Sequence, residues 1–126
     1  MLKLGAPPEK LVMGLPMYGR TFLRDSSANN STAEPILGIT KTQSAGFKGP
    51  YTKEAGFMGY NEICVEMANK TAGWIQKWDP VSKTPYAYNG DKLVTFDNQR
   101  SIAEKVRYSK KSYHKDLFNI FIVKLL

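Results

Sequence analysis

Residues 10–22 read Lys-Leu-Val-Met-Gly-Leu-Pro-Met-Tyr-Gly-Arg-Thr-Phe. The segment 10–15 is short and largely aliphatic, and it follows a Pro-Pro pair, a composition that predicts a buried strand. Pro16 ends the strand because proline lacks the N–H group that a sheet ladder needs. The triplet Tyr18-Gly19-Arg20 therefore follows at the carboxyl end of this strand.

Beyond this strand the sequence predicts a long insertion. Asn89-Gly90 is the strongest hairpin signal, since aromatic and β-branched residues flank it on both sides. Asp97 or Asn98 can cap the next helix, whose inner face carries Ile102, Val106 and either Tyr108 or Ser109. The predicted elements after the first strand are an exposed loop over 25–35, an irregular region over 38–51, a helix over 59–69, strands over 72–78, 85–88 and 93–96, a helix over 99–112, and either a buried strand or an adhesive tail over 117–123.

The outer elements of this order form a strand–helix–strand unit, and a small α+β module interrupts its crossover. A parallel sheet needs helices on both of its faces, and one such unit cannot cover both. We therefore expect neighbouring strands beyond the two ends of the sequence.

The composition excludes several classes of protein. The chain has 126 residues, a formal net charge of +7, one cysteine and one histidine. One cysteine cannot form an internal disulfide framework, and one histidine leaves no cluster for zinc. No apolar run approaches the roughly 20 residues of a membrane-spanning helix. We expect no metal, no cofactor and no membrane partner, and the sequence leaves the oligomeric state open.

The positive charge is concentrated at the C-terminal end of the chain. Residues 104–126 hold six Lys or Arg side chains and two acids, Glu104 and Asp116. Their net charge of +4 is more than half of the +7 of the whole chain. No known nucleic-acid-binding pattern accompanies this stretch. We therefore expect a solvated helix face and no nucleic acid as partner. A basic nucleic-acid-binding domain remains a remote alternative.

Three triplets match the acceptor pattern for N-glycosylation, and they begin at Asn29, Asn30 and Asn69. Such triplets favour a secreted parent protein, although they also arise by chance. The first residues lack the apolar core of about 7–15 residues that a signal peptide needs. The two observations agree if the N-terminus of this chain is truncated.

Several motifs together carry a resemblance to a known family. The sequence from about residue 10 to 109 resembles the glycoside hydrolase family 18 chitinases and chitinase-like lectins. Each motif alone is weak, but they follow one another in the family's order and at its spacing. The matching stretches are residues 16–22 (Pro-Met-Tyr-Gly-Arg-Thr-Phe), 49–56 (Gly-Pro-Tyr-Thr-Lys-Glu-Ala-Gly), 60–64 (Tyr-Asn-Glu-Ile-Cys), 85–88 (Pro-Tyr-Ala-Tyr), 96–98 (Phe-Asp-Asn) and 101–106 (Ser-Ile-Ala-Glu-Lys-Val).

The resemblance implies an α+β insertion domain within an incomplete (β/α)₈ TIM barrel. A complete barrel needs about 250 residues. The implied domains are the barrel strand 7 region over 1–21, the chitinase insertion domain over 22–96, barrel helix 7 over 97–112 and a divergent C-terminal tail over 113–126. The tail would supply an altered strand 8.

The resemblance also implies a substrate-binding role for Tyr18, Arg20 and Glu62, with chitin or chitooligosaccharide as the partner. Tyr18 offers a ring and a phenol, and Arg20 offers five donors in a rigid fork. Glu62 resembles a groove residue that accepts hydrogen bonds from sugar hydroxyls. The alternative is a packing role for Tyr18, a surface ion pair for Arg20 and simple exposure for Glu62. Glu62 and Glu66, one helical turn apart, predict a solvated face.

The family's catalytic motif is Asp-x-x-Asp-x-Asp-x-Glu, and no two acids of this sequence fit an Asp-x-Asp-x-Glu spacing. We therefore assign no catalytic residue and expect the motif upstream of Met1. The match fades after Lys110, where the family has a Leu-Gly-Gly turn and a strand bearing a Trp. An alternative exon, a read-through or a gene-model error would explain that departure. The resemblance further implies that Cys64 has lost a disulfide partner that lies beyond that strand.

These inferences give one main expectation and one alternative. The chain is expected to be a C-terminal fragment of a secreted family 18 protein whose parent hydrolyses β-1,4-linked N-acetylglucosamine polymers. The alternative parent is a non-catalytic, lectin-like member of the same family. We also expect the isolated chain to be aggregation-prone or partly disordered outside residues 22–96, because strand 7 would expose unpaired edges.

Overall fold

The computed structural model describes residues 12–25, 34–36, 38, 40–43, 46–112 and 119–123. These ranges contain strands and helices in mixed order. The elements are β1 (Val12–Pro16), β2 (Tyr18–Leu23), β3 (Phe57–Gly59), α1 (Tyr60–Ala68), a short 3₁₀ helix (Lys70–Ala72), β4 (Ile75–Asp79), β5 (Thr84–Asn89), β6 (Lys92–Thr95), α2 (Gln99–Ser112) and β7 (Asn119–Val123).

The first and last strands lie side by side. β1 and β7 run parallel, with Val12 opposite Asn119 and Pro16 opposite Val123. α2 comes immediately before β7 in the chain, so the predicted strand–helix–strand unit with parallel strands is confirmed. The ends of the two predicted strands, at residues 10, 11, 117 and 118, lie outside the described residues.

The inserted module is a five-stranded antiparallel sheet in the order β3-β2-β6-β5-β4. The motif Tyr18-Gly19-Arg20 lies within β2, which the sequence pattern did not predict as a strand. The domain boundary that the family resemblance implies, between residues 21 and 22, falls inside this strand. Helix α1 packs on the sheet, which gives the expected α+β module.

The core of this module lies between α1 and one face of the sheet. Its buried members are Met58, Ile63, Ala87, Val94 and Phe96. The opposite face carries a smaller buried cluster of Tyr86, Tyr88 and Leu93, against which Phe22 packs. Each strand therefore contributes alternate residues to the two faces, as an antiparallel strand does.

The hairpin predicted at Asn89-Gly90 is present, but its turn is shifted by one residue. Asn89 pairs with Lys92, so Gly90 and Asp91 form the loop. Gly90 has a φ of 58°, a left-handed conformation that glycine adopts without strain. The strand predicted over 72–78 begins only at Ile75, because a 3₁₀ helix and a left-handed Gly73 precede it.

Helix α2 begins with a reciprocal cap. The Ser101 N–H donates to Asn98 Oδ1 at 3.0 Å, and Ser101 Oγ accepts from the Asn98 N–H at 2.9 Å. Of the two predicted caps, Asn98 is therefore the one used. Ser109 lies on the buried side while Tyr108 is 70% exposed, which decides between the two inner-face candidates. Neither helix in the described part of the chain is long and apolar enough to cross a membrane.

Candidate functional site

Tyr18 and Arg20 lie on the same face of the sheet, since residues two apart in a strand share a side. Phe57 is directly opposite Arg20 on β3. The guanidinium carbon of Arg20 lies 3.8 Å from the centroid of the Phe57 ring and 5.8 Å from that of Tyr18. The two rings are 5.4 Å apart and tilted by 46°. The Arg20 guanidinium thus lies within cation–π range of both rings, and it has five N–H donors with which to bind a ligand.

Gly19 allows this arrangement because it faces the core between the two site residues. A Cβ atom at Gly19 would lie 2.6 Å from Ile63 Cδ1 and 2.8 Å from Val94 Cγ2. A glycine at this position therefore lets α1 approach the sheet closely. That packing fixes the strand that presents Tyr18 and Arg20 on the other side.

Tyr18 and Arg20 open onto a cavity of about 210 Å³. Five other residues line it: Pro16, Thr84, Thr95, Phe96 and Asp97. The cavity joins the end of β1, the sheet and the start of α2, so residues distant in sequence meet there. Its volume is below the usual range of about 300–1,000 Å³ for ligand pockets. This part of the chain can therefore hold only a portion of a larger ligand.

Asp97 is the one carboxylate among the described lining residues of this cavity, and the sequence pattern indicated it only as a helix cap. It is 6% exposed and accepts a 2.7 Å hydrogen bond from Ser101 Oγ. It also forms an ion pair with Lys105. Asp97 is thus engaged by α2 and ties the start of that helix to the cavity wall.

Glu62 is not on a solvated face, and that prediction is wrong. The side chain is 1% exposed, and its carboxylate accepts hydrogen bonds from the loop that precedes β3. Glu62 Oε1 accepts from the N–H groups of Tyr51 and Thr52, the latter at 2.6 Å. Glu62 Oε2 accepts from the Thr52 hydroxyl at 2.5 Å and from the Gly59 N–H at 2.6 Å.

This arrangement speaks against a sugar-binding role for Glu62, because four donors already occupy its buried carboxylate. Burial alone would raise the pKa of the Glu62 carboxyl, but hydrogen bonds from Thr52, Gly59 and Tyr51 outweigh burial and lower that pKa. Glu62 is also the third residue of α1, where it closes the helix start by accepting the N–H of the cap residue. Its role in this structure is to hold the 49–52 loop against α1.

The two family motifs around residues 49–56 and 60–64 therefore form one unit. A Cβ atom at Gly49 would lie 2.5 Å from Glu62 Oε2. A residue without a side chain is needed there so that the loop can wrap the carboxylate. Both segments are visible in the sequence as motifs, but no periodic pattern indicates that the Gly-Pro-Tyr-Thr loop contacts the Glu at the start of the helix.

Glu66 also departs from the expected solvated face. It is half-buried, and its Oε2 accepts a 2.8 Å hydrogen bond from the indole N–H of Trp74. Glu62 and Glu66 thus contact different loops and do not form a carboxylate pair.

The remaining predicted residues lie away from the cavity. Cys64 is exposed on α1 as a free thiol, and the burial of the neighbouring Tyr60, together with this thiol, raises the pKa of Tyr60. Asn69 is exposed after α1, and its Oδ1 accepts a 2.7 Å hydrogen bond from the Thr71 hydroxyl. The other two glycosylation candidates, Asn29 and Asn30, lie outside the described residues.

A larger cavity, of about 430 Å³, lies between α2 and the turn after β4. Glu104 at its rim pairs with Lys83 and Arg107 at 3.0 and 2.8 Å. It contains none of the predicted site residues, and the only carboxylate among its described lining residues, Glu104, is already paired with two cations. The smaller cavity beside Arg20 is therefore the stronger candidate for a binding site.

Comparison with known proteins gives the class. Residues 1–114 match the family model described as "Glycosyl hydrolases family 18". A protein named "Probable chitinase 2" from Drosophila melanogaster is 48% identical over 116 residues, which cover 86% of this chain and 22% of that protein. An oviduct-specific glycoprotein from Sus scrofa is 41% identical over 113 residues, covering 88% of this chain and 19% of that protein.

Solved structures give the same result. A group IV chitinase from Ostrinia furnacalis in complex with allosamidin has a TM-score of 0.78 at 37% identity, covering 97% of this chain and 30% of that one. Human YKL-39, described as a pseudo-chitinase with retained chitooligosaccharide binding properties, has a TM-score of 0.76 at 30% identity, again covering 97% and 30%. This chain belongs to glycoside hydrolase family 18. It spans about a fifth of the length of the curated relatives that it matches.

Proposed function

We propose that this chain forms one wall of a chitooligosaccharide-binding groove in a family 18 protein. The observation that carries the proposal is the stack of Arg20 on Phe57 and Tyr18 beside a cavity. An aromatic ring suits the apolar C–H face of a sugar, and a fixed guanidinium suits its hydroxyl and acetamido oxygens. Of the three predicted substrate-binding residues, we retain Tyr18 and Arg20 and give Glu62 a structural role.

In this proposal the residue ranges keep their expected places in a TIM barrel. Residues 1–21 supply barrel strand 7, residues 22–96 the insertion domain and residues 97–112 helix 7. The parallel pairing of β1 with β7 supports a strand 8 role for part of the tail over 113–126. The cavity beside Arg20 then lies at the carboxyl end of a barrel strand, where such barrels place their sites.

The parent protein, in this proposal, is secreted and hydrolyses β-1,4-linked N-acetylglucosamine polymers. This chain supplies binding and no catalytic group, since the family's acidic motif is absent from its sequence. A non-catalytic, chitin-binding parent is the second candidate, and the description of YKL-39 as a pseudo-chitinase that binds chitooligosaccharides favours it. The residues that precede Met1 in the parent protein decide between the two.

The test uses the full 126-residue chain and chitotetraose, with binding followed by NMR chemical shifts. We expect weak binding that shifts the resonances around Tyr18 and Arg20. Arg20→Ala should weaken it about tenfold, which corresponds to about 1.4 kcal/mol. Arg107→Ala is the matched control, because it also removes an arginine but lies on the exposed side of α2. Equal affinity for the Arg20→Ala chain and the unchanged chain would refute the site.

The same preparation tests catalysis. We expect no hydrolysis of chitotetraose above the rate in buffer, because the family's acidic motif is absent from this sequence. Hydrolysis that copurifies with the chain, and that is absent from a mock preparation made without it, would contradict this expectation.

A further inference from the structure

A second cavity, of about 350 Å³, lies on the opposite face of the sheet from Arg20. Its volume falls within the usual range of about 300–1,000 Å³ for small-molecule sites. The lining residues with aromatic, polar or charged side chains are Phe47, Lys48, Glu66, Trp74, Asn89 and Lys92. No role for these six residues follows from the groove proposed above.

The strand register places this cavity on the other side of the sheet. Asn89 and Lys92 pair with each other across the hairpin, and each is two residues from a core residue, Ala87 or Val94. They therefore share the face of α1, whereas Arg20 alternates with Gly19 onto the other face. The sheet separates the two cavities, so a sugar unit bound in one cannot contact the other.

Two aromatic rings form an apolar wall of the cavity. The centroids of Phe47 and Trp74 are 5.9 Å apart and their planes are tilted by 40°. Both rings pack against the buried core of Met58, Ile63, Ala87 and Val94. A wall that is fixed from behind in this way binds a ligand at little cost in conformational entropy.

Hydrogen-bond donors and acceptors lie around this aromatic wall. The indole N–H of Trp74 donates to Glu66 Oε2 at 2.8 Å, which fixes the carboxylate and leaves Oε1 as an acceptor. Lys92 Nζ lies 5.5 Å from the centroid of the Phe47 ring and supplies donors. Asn89 Nδ2 donates to the Ala72 carbonyl at 2.6 Å, which fixes the amide and leaves its Oδ1 as an acceptor.

This combination selects a class of ligand. The fixed Glu66 carboxylate disfavours phosphates and other anions, and Lys48 and Lys92 at the rim disfavour cations. A purely apolar ligand would leave the fixed polar groups without partners. A neutral pyranose satisfies all of these groups, since it offers hydroxyls to Glu66, Asn89 and Lys92 and a C–H face to the rings.

We infer that this cavity is a second carbohydrate site, which binds a terminal unit of a chitooligosaccharide apart from the groove. The existence of a sugar site rests on the cavity alone, whereas its preference for N-acetylglucosamine units rests on the proposed function. Such a site would let one domain hold a polymer at two points.

The test titrates the full 126-residue chain with N,N′-diacetylchitobiose and follows the indole N–H resonances of Trp74 and Trp78. We expect the Trp74 resonance to shift and saturate. Lys92→Met and Glu66→Gln should each weaken this effect about fivefold to tenfold. Glu66→Gln keeps an oxygen for the Trp74 hydrogen bond, and Lys92 is exposed, so both variants are expected to fold. Lys41→Met, an exposed lysine that does not line the cavity, is the matched control.

The outcomes separate the two proposals. A Trp74 shift that survives Arg20→Ala and is lost in Lys92→Met supports a second site, whether or not the groove binds. A Trp74 resonance that does not move while the Arg20 region responds refutes the second site and leaves the groove proposal standing. A Trp74 shift abolished by Arg20→Ala, or unchanged by both cavity variants, also refutes it. Thermal unfolding of each variant distinguishes lost binding from lost folding.

Discussion

Thr52 and Glu62 are ten residues apart, and the Thr52 hydroxyl and N–H both donate to the Glu62 carboxylate, at 2.5 and 2.6 Å. This contact binds the loop before β3 to the start of α1. Because β3 continues from that loop and presents Phe57 to Arg20, the contact also supports one side of the candidate groove. A buried carboxylate thus contributes to the site without touching a ligand.

Glu62→Gln should lower the free energy of unfolding by about 2 kcal/mol, since hydrogen bonds to a charged acceptor are worth about 1.5–3 kcal/mol. A glutamine also turns an NH₂ group toward donors. Chemical denaturation at about pH 7 measures the difference. Glu66→Gln is the matched control and should change stability much less, because the Glu66 carboxylate is half-buried and, within the described part of the chain, accepts its hydrogen bond from a single side chain, Trp74.

The same pair predicts a pH dependence. The folded-state pKa of Glu62 lies below its ordinary value of 4.5, so the carboxylate stabilises the fold above that pH. This stabilisation is lost as the pH falls from 4.5 through the lowered pKa of the folded state. The stability difference between the unchanged chain and Glu62→Gln should therefore be constant above this range and shrink below it. A difference that stays constant down to acid unfolding would contradict the assignment.

Gly19→Ala should destabilise the fold by about 1–3 kcal/mol, the usual cost of overpacking a core. The new methyl group would lie within 2.6–2.9 Å of Ile63, Val94 and the Thr95 carbonyl oxygen. Thermal unfolding measures the loss. Gly90→Asn serves as the control, because its left-handed φ of 58° suits asparagine and no atom lies within 4 Å of a Cβ there. Equal melting temperatures for the two variants would show that the contact at Gly19 is not tight.

Backbone amides of the two sheets should exchange with solvent at different rates. β1 and β7 form a two-stranded sheet, which is marginally stable by itself, whereas β2, β5 and β6 lie within a five-stranded sheet that packs on a helix. We expect slow hydrogen exchange in β5 and β6 and fast exchange in β1 and β7. Equal protection in a monomeric chain would contradict this expectation and the predicted disorder outside residues 22–96.

Asn69 should accept an N-linked glycan when the chain is expressed behind a secretion signal. The side chain is exposed, and its Oδ1 contacts the hydroxyl of Thr71, the residue that completes the acceptor triplet. Asn69→Gln and Thr71→Ala should each remove one glycan, visible as the same mobility shift on a gel. Thr71→Ser, which keeps the hydroxyl, should retain it. If Asn69→Gln and Thr71→Ala both migrate like the unchanged chain, Asn69 is not a glycosylation site.

Much of the fold follows from local patterns in the sequence. The helix α2, its Asn98 cap and the β5–β6 hairpin each carry their signals within a few residues of one another. The outer strands were also recognisable, because short aliphatic runs favour buried strands. Strand β2 was missed because its triplet contains a glycine and alternates only weakly in hydrophobicity.

The residues of the site were less accessible to sequence reasoning. Tyr18 and Arg20 came from a family resemblance, and no local rule indicates that Phe57 lies opposite Arg20. Glu62 illustrates the reason, since an acid in the first turn of a helix is usually solvated. Only the return of the 49–52 loop buries it, and that contact depends on tertiary structure. Thr84 and Thr95 likewise reach the cavity through strand register alone.

The alternation along β2 places a constraint on the length of the chain. Tyr18 and Arg20 face the candidate cavity only while Gly19 and Thr21 face the core. One residue added or removed between Pro16 and Leu23 would exchange the two sets and send an arginine into the apolar interior. An insertion or deletion in this strand therefore disturbs both faces at once, whereas a substitution disturbs only one, and any redesign of its outward face must keep the residue count.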